Sequence, residues 1–154
     1  MILKNENDIY IFFEIIGQLK PQRILDVGMF LKRVGSISRK IMNQEVPEAV
    51  KLDGVDFYSE INFPVWKNIY NRIIDAEEFG KKEEGSKYEL AVLLGIKELQ
   101  KKMPVEKIME KIKASARYIL IDEMVDKWQA QYPQVKVIDL KVEQNIYFLI
   151  DFGE

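Results

Sequence analysis

The sequence predicts an α/β fold: a mostly parallel sheet of seven strands, helices on both faces, and an antiparallel hairpin at the carboxyl-terminal end. Three observations carry this. Arg23-Ile24-Leu25-Asp26-Val27-Gly28 reads as a short buried strand ending in a glycine, which permits a sharp bend and close approach of a ligand to the backbone. Apolar runs of strand length alternate with segments of helical periodicity, the pattern of parallel strands joined by covering helices. Only Glu143-Gln144-Asn145 separates the last two strand-like runs, too short a link for a parallel pair.

Taken in order, Asn7 or Asp8 suits the N-cap of a first helix, with Ile9, Phe12, Phe13, Ile16 and Leu19 at helical spacing and Pro21 marking its end. The first strand runs from Arg23 to Val27. A second helix spans Ser36 to Gln44, with Ile37 and Ile41 on one side, and Val50 to Phe57 is the second strand. Pro64 suits the first residue of a short helix, where its missing N–H costs nothing. Tyr70 to Ile74 reads as a third strand ending at Asp75-Ala76, and Glu77 to Lys87 as a charged, solvated connection. Tyr88 to Leu94 is a nearly uninterrupted apolar strand ending at Gly95. Pro104 opens a helix reaching Ala114, with Val105, Ile108, Met109 and Ile112 on one side. Arg117 to Ile121 is the fifth strand, Glu123 to Gln131 a helix closed by Pro133, and Val135 to Val142 and Ile146 to Phe152 form the terminal hairpin.

At 154 residues the chain suits a single domain over residues 1–154, its first 20 residues a covering helix. A net charge of -2 argues against a nucleic-acid partner, since such binders carry a basic excess or a basic face. The absence of cysteine excludes disulfides, thiolate catalysis and thiolate metal sites. The absence of histidine removes the commonest general base and metal ligand, leaving proton transfer to Asp, Glu, Lys, Tyr or water. The apolar run Ile9 to Ile16 contains Glu14 and is too short to span a bilayer, and it lacks the flanks of a signal peptide. No membrane partner is expected, and the expected location is cytoplasmic.

The order of these elements resembles the class I S-adenosylmethionine-dependent methyltransferases over nearly the whole chain, a Rossmann-like fold that ends in a hairpin. Ile24-Leu25-Asp26-Val27-Gly28 resembles the first motif of that family, Gly54-Val55-Asp56 the second, Ile73-Ile74-Asp75-Ala76 the third, and Tyr88 to Gly95 the fourth strand with its loop. The resemblance implies S-adenosylmethionine as cofactor. Gly28 would let the chain pass close to its methionine part, with Asp26 near the ammonium. Asp56 would accept from the ribose hydroxyls, Asp75 would face the adenine amino group with Ala76 against the ring, and Leu94 and Gly95 would floor the site near the sulfonium.

The sequence departs from that pattern in two places. Phe30 and Lys32 stand where the family repeats glycine after Gly28. Either the loop extends to Gly35, or side chains fill it and exclude the cofactor; Phe30, Val34, Ile37 and Ile41 also fit helical spacing. Gly95-Ile96-Lys97-Glu98 replaces the amino-methylating signature of Asp or Asn, two prolines and an aromatic. Two functions stay open: a small-molecule methyltransferase, and a degenerate, non-catalytic domain that binds a protein partner. A third reading has Lys32 and Arg33 meeting nucleotide phosphates at a helix start. No catalytic residue is assigned.

Each candidate also has a structural reading. Asp26 can satisfy amides of the turn that follows it, and Asp56 can cap the next segment. Lys97 and Glu98 suit a solvated helix start. Asp122, at the end of the fifth strand, could form a metal site with Glu123 and Asp126, but Glu123 and Asp126 suit a helix's first turn better, and no metal is expected. The basic cluster Lys32, Arg33, Arg39 and Lys40 reads as a solvated helix face, and Trp66 and Trp128 as packing residues.

Overall fold

β1 (Arg23–Val27) occupies the middle of a sheet ordered β3-β2-β1-β4-β5-β7-β6. The computed structural model describes residues 2–29, 50–56, 70–79, 88–99, 101–122, 136–142 and 145–152. The remaining strands are β2 (Lys51–Asp56), β3 (Arg72–Asp75), β4 (Tyr88–Leu93), β5 (Ala116–Ile121), β6 (Lys136–Val142) and β7 (Asn145–Asp151). The helices among the described residues are α1 (Ile2–Leu19), α2 (Ile96–Leu99) and α3 (Val105–Ser115). From β1 the chain steps outward through β2 to β3, then returns to place β4 on the other side of β1. β1 pairs in parallel with both β2 and β4, so the strand order reverses there and a crevice opens at their carboxyl ends.

β7 lies antiparallel between β5 and β6, which leaves it the one reversed strand of the seven. This is the arrangement expected from the tight link between the last two strands. Two apolar clusters back the sheet. On one face α1 sets Ile11, Phe12, Ile15 and Ile16 against Ile24, Leu90, Val92, Leu120 and Leu149. On the other, Ile96 and Leu99 of α2 and Ile108, Met109 and Ile112 of α3 pack on Leu25, Val55, Ala91, Leu93 and Ile119. The central strands face helices on both sides and are accordingly continuous apolar runs, whereas β3 at the edge is half exposed.

The first helix differs from its expected start. It begins at Ile2, so Asn7 and Asp8 lie inside it and are buried rather than capping it. Asp8 stands one turn before Phe12 on the buried stripe, a position its cap-forming chemistry disguises. Pro104 precedes α3, and its carbonyl accepts the Lys107 and Ile108 amides. β3 begins at Arg72, which leaves Tyr70 just ahead of it. The expected solvated connection after β3 begins with a tight turn whose Phe79 is buried in the core. The expected helices at 36–44 and 123–131 and the helix start at Pro64 lie outside the described residues, as do Phe30 to Gly35, Arg39, Lys40, Trp66 and Trp128. No described helix is long and apolar enough to cross a membrane.

Candidate functional site

The carboxyl ends of β3, β2, β1 and β4 lie side by side, and each carries residues singled out by the sequence. Asp26 is the fourth residue of β1, Gly28 follows that strand, Asp56 ends β2, Asp75 ends β3, and Leu94 and Gly95 follow β4. Asp26 is opposite Gly54 on β2 and Val92 on β4, and Asp56 is opposite Asp75.

Gly28 sits at φ +89°, and its amide donates to the Val55 carbonyl at 2.9 Å. A Cβ there would lie 2.8 Å from Leu99 Cδ1 and 2.9 Å from Cδ2, so α2 rests directly on this glycine. Met29 also takes a positive φ, 54°, and its amide donates to the Asp26 carbonyl at 3.3 Å, which closes the turn. Its side chain joins the cluster under α1 beside the Tyr70 ring, both against Gly54: a Cβ on Gly54 would lie 2.9 Å from Met29 Cγ and 3.0 Å from the Tyr70 ring.

Asp26 is fully buried, and its Oδ2 accepts a 2.6 Å hydrogen bond from the Tyr70 hydroxyl. A carboxylate removed from water needs such donors to remain charged. Nothing near Asp26 in sequence announces Tyr70, because the pair spans 44 positions. Asp56 is also buried, and its carbonyl accepts the Ala76 amide at 3.1 Å. Asp75 is exposed; its Oδ1 accepts the Glu77 amide at 2.9 Å and its carbonyl the Phe79 amide at 3.0 Å, a turn that holds the end of β3. Ala76 packs against the core on the α2 and α3 face, while the Leu94 side chain is buried in the core under α1.

Gly95 sits at φ +94°, and its amide donates to Asp122 Oδ2 at 2.8 Å; the Ile96 amide donates to Oδ1 at 3.4 Å. Asp122 thus anchors the loop after β4 from the neighbouring end of β5. In the sequence Asp122 ends the fifth strand and joins Glu123 and Asp126 in a candidate metal grouping; its place at a strand end next to the strand-end Gly95 is the signal for this role. Among the described residues no group of three or more potential ligands could hold a metal ion. Glu123 and Asp126 lie outside those residues, as do the side chains of Lys97 and Glu98.

The polar edge continues to β7. Ile121 pairs with Phe148, so Tyr147 stands just beyond β5, beside Asp122. Fully buried, Tyr147 donates its hydroxyl to Asp8 Oδ1 at 2.5 Å and so ties α1 to the carboxyl edge. Burial pushes its ionisation to higher pH, and the hydrogen bond to Asp8 and the charges of Asp8 and Asp122 add to this. Asp8, Asp26, Asp56, Asp75 and Asp122 thus lie along one edge, where hydroxyl and amide donors of the chain itself meet Asp8, Asp26, Asp75 and Asp122.

No family model matches this sequence, and no curated protein matches it. Solved structures do. A Staphylococcus aureus protein classed as a caffeoyl-CoA O-methyltransferase superposes with a TM-score of 0.62 at 12% identity, covering 93% of this chain and 82% of its own. The chain has a class I methyltransferase-like fold. The methyltransferase domain of bacterial CtHen1-C matches over 100% of both chains, with a TM-score of 0.60 at 9% identity. An Escherichia coli rRNA methylase matches with a TM-score of 0.55 at 12% identity over 92% of this chain, which spans only 62% of that enzyme. At such identities the methyltransferase-like likeness is one of fold alone.

Proposed function

We propose that this chain binds S-adenosylmethionine at the carboxyl edge of β1, β2 and β4 and transfers its methyl group to a small-molecule acceptor. The observation that carries the reading is the place of Gly28: it turns at φ +89° at the strand-order reversal, one strand from the buried Asp56 at the end of β2. In this reading the crevice at that reversal takes the ligand, with Asp56 as the acceptor for ribose hydroxyls.

In this reading Asp56 holds the ribose, Asp75 and Ala76 the adenine, Asp26 the ammonium group, and the main chain at Gly28, Leu94 and Gly95 the methionine end and sulfonium. The cofactor supplies a methyl carbon activated by positive sulfur. The chain's own part is to align the acceptor with that carbon, and alignment alone supplies much of the rate. Asp122 contributes by fixing the Gly95 loop. In a chain without histidine, a proton leaving the acceptor passes to a carboxylate, amine, phenol or water. The net charge of -2 favours a small molecule over nucleic acid as acceptor.

A second reading, a non-catalytic binding domain, draws on Leu99 resting against Gly28 and on Asp26 being wholly buried and bonded to Tyr70. Calorimetric titration with S-adenosylmethionine and S-adenosylhomocysteine separates the two. The enzyme reading expects micromolar or tighter binding, on the order of 8 kcal/mol. Asp56→Ala is expected to weaken it by about 1–3 kcal/mol through loss of a charge-assisted hydrogen bond. Folded protein that gives no heat at millimolar ligand overturns the enzyme reading.

A further inference from the structure

We infer that β6 is a docking edge for a second copy of this chain: two β6 strands pair antiparallel about a two-fold axis at Leu140 and join the two sheets into one. The pairing does not depend on what the crevice at β1 binds.

β6 is the last strand of the sheet, bonded to β7 on one side, and among the described residues no strand pairs with its other side. Such an edge presents a row of backbone N–H and C=O groups to an incoming strand, and proteins blunt it with proline, bulges or lysine. Lys136-Val137-Ile138-Asp139-Leu140-Lys141-Val142 contains no proline, and it matches β7 residue for residue, without a bulge. Lys141 by itself would repel a second β6. Asp139, two positions away on the same face, supplies the opposite charge, and both residues are exposed. Leu140 between them turns to the other face and packs against the cluster under α1.

Those charges select one register. Residues of an antiparallel strand bond alternately to one neighbour and the other, so in self-pairing only positions of the same parity can be opposite. Centred on Asp139, the pairing sets Asp139 against its own copy; centred on Lys141, it sets lysine against lysine. Centred on Ile138, it puts Asp139 opposite Val137 and carries Lys141 past the end of the strand. Centred on Leu140, it sets Asp139 of each copy opposite Lys141 of the other, with Leu140 opposite Leu140 on the side of α1. Opposite charges across strands stabilise a pair and like charges destabilise it, so this register is the favoured one. The contact is isologous, as a two-fold dimer requires. Its ion pairs share a face with Ile146, which is opposite Lys141 on β7 and 51% exposed, so the seam adjoins an apolar position left open to water. β5 and β6 are both antiparallel to β7 and thus parallel to each other. The carboxyl edges of the two copies therefore point in opposite directions, and β4, the strand of the crevice nearest the seam, is three places from β6. Dimerisation leaves both crevices open.

Sedimentation equilibrium of the full chain, at micromolar to submillimolar concentration, is expected to show a reversible monomer and dimer. Asp139→Lys gives each copy two lysines at the seam, and Lys141→Asp gives each copy two aspartates. Each variant alone is expected to raise the dissociation constant about tenfold or more, with circular dichroism unchanged because both positions are exposed. An equimolar mixture of the two variants restores both ion pairs and is expected to dimerise again, as is the double variant carrying both substitutions. A wild type that stays monomeric overturns the proposal and leaves the edge to a strand of another protein. A dimer that neither substitution weakens places the interface elsewhere, and two weakened variants whose mixture fails to associate refute the register.

Discussion

Gly28→Ala probes the point where fold and proposed site coincide, and its cost can be built from two separate terms. The first is backbone strain: at φ +89° an L-residue with a Cβ pays roughly 1–2 kcal/mol that glycine does not. The second is overlap, because the new methyl would stand 2.8 Å and 2.9 Å from the two Cδ atoms of Leu99 and 3.2 Å from its Cγ. Leu99 is only 2% exposed, and forcing a methyl into a packed site costs about 1–3 kcal/mol. The sum is about 2–5 kcal/mol, the lower end holding where Leu99 can rotate away. Leu99→Ala costs about 2–5 kcal/mol by itself through its cavity, but it removes the overlap. In that background Gly28→Ala should therefore keep only the strain, about 1–2 kcal/mol, giving a favourable coupling of about 1–3 kcal/mol between the substitutions. Urea denaturation of the four proteins, followed by circular dichroism, measures the cycle. Additive costs refute the contact between Leu99 and Gly28, and a Gly28→Ala protein as stable as wild type refutes the left-handed turn as well.

Tyr147→Phe removes the donor to Asp8 and is expected to cost about 1.5–3 kcal/mol in urea at neutral pH, because a buried carboxylate loses a charge-assisted bond. The same phenol governs alkaline behaviour. Tyr147 and Tyr88 ionise at higher pH in the folded chain than the ordinary 10.0, chiefly because they are buried. The folded state therefore holds protons that the unfolded state releases, so their contribution is complete below pH 10 and declines as pH rises further. Wild type and Tyr147→Phe should accordingly converge in stability above pH 10, and a constant difference there would contradict the assignment. Asp122→Ala should free the Gly95 and Ile96 amides, seen as faster hydrogen exchange at those two positions, and should lower cofactor affinity several-fold by calorimetry; unchanged exchange would place the anchor elsewhere.

Much of the architecture was legible because strand burial is written locally. Leu90 to Leu93 are apolar at successive positions, and Ile24, Leu25 and Val27 flank only Asp26, since both faces of a central parallel strand are covered; such runs are visible without knowing the neighbours. The terminal hairpin was equally local: two runs with so short a link can pair only antiparallel, which is how β6 and β7 lie. The residues at strand ends were legible for the same reason, and parallel pairing of β1, β2, β3 and β4 sets their carboxyl ends along one edge. Edges and exceptions were harder. Tyr70 read as strand, yet β3 begins two residues later, because at the margin of a sheet little burial marks the start.

Composition and local pattern determined that this chain forms an α/β sheet closed by a reversed strand, and that its carboxyl edge carries acid and glycine in place of histidine and cysteine. Tertiary structure alone decided what each carboxylate does. Asp8 looks like a helix cap and is instead a buried partner of Tyr147, 139 positions away. Asp122 reads as the end of the fifth strand, and only the fold makes it the anchor of the loop after β4. Asp26 meets Tyr70 across a strand whose glycine makes room for the ring. The physical reason is the reach of the interactions. Periodicity and turn chemistry act over a few residues and so can be read along the chain. A buried carboxylate is satisfied by whichever donor packing brings within 3 Å, and that donor is selected by strand order and helix placement rather than by its own sequence neighbours.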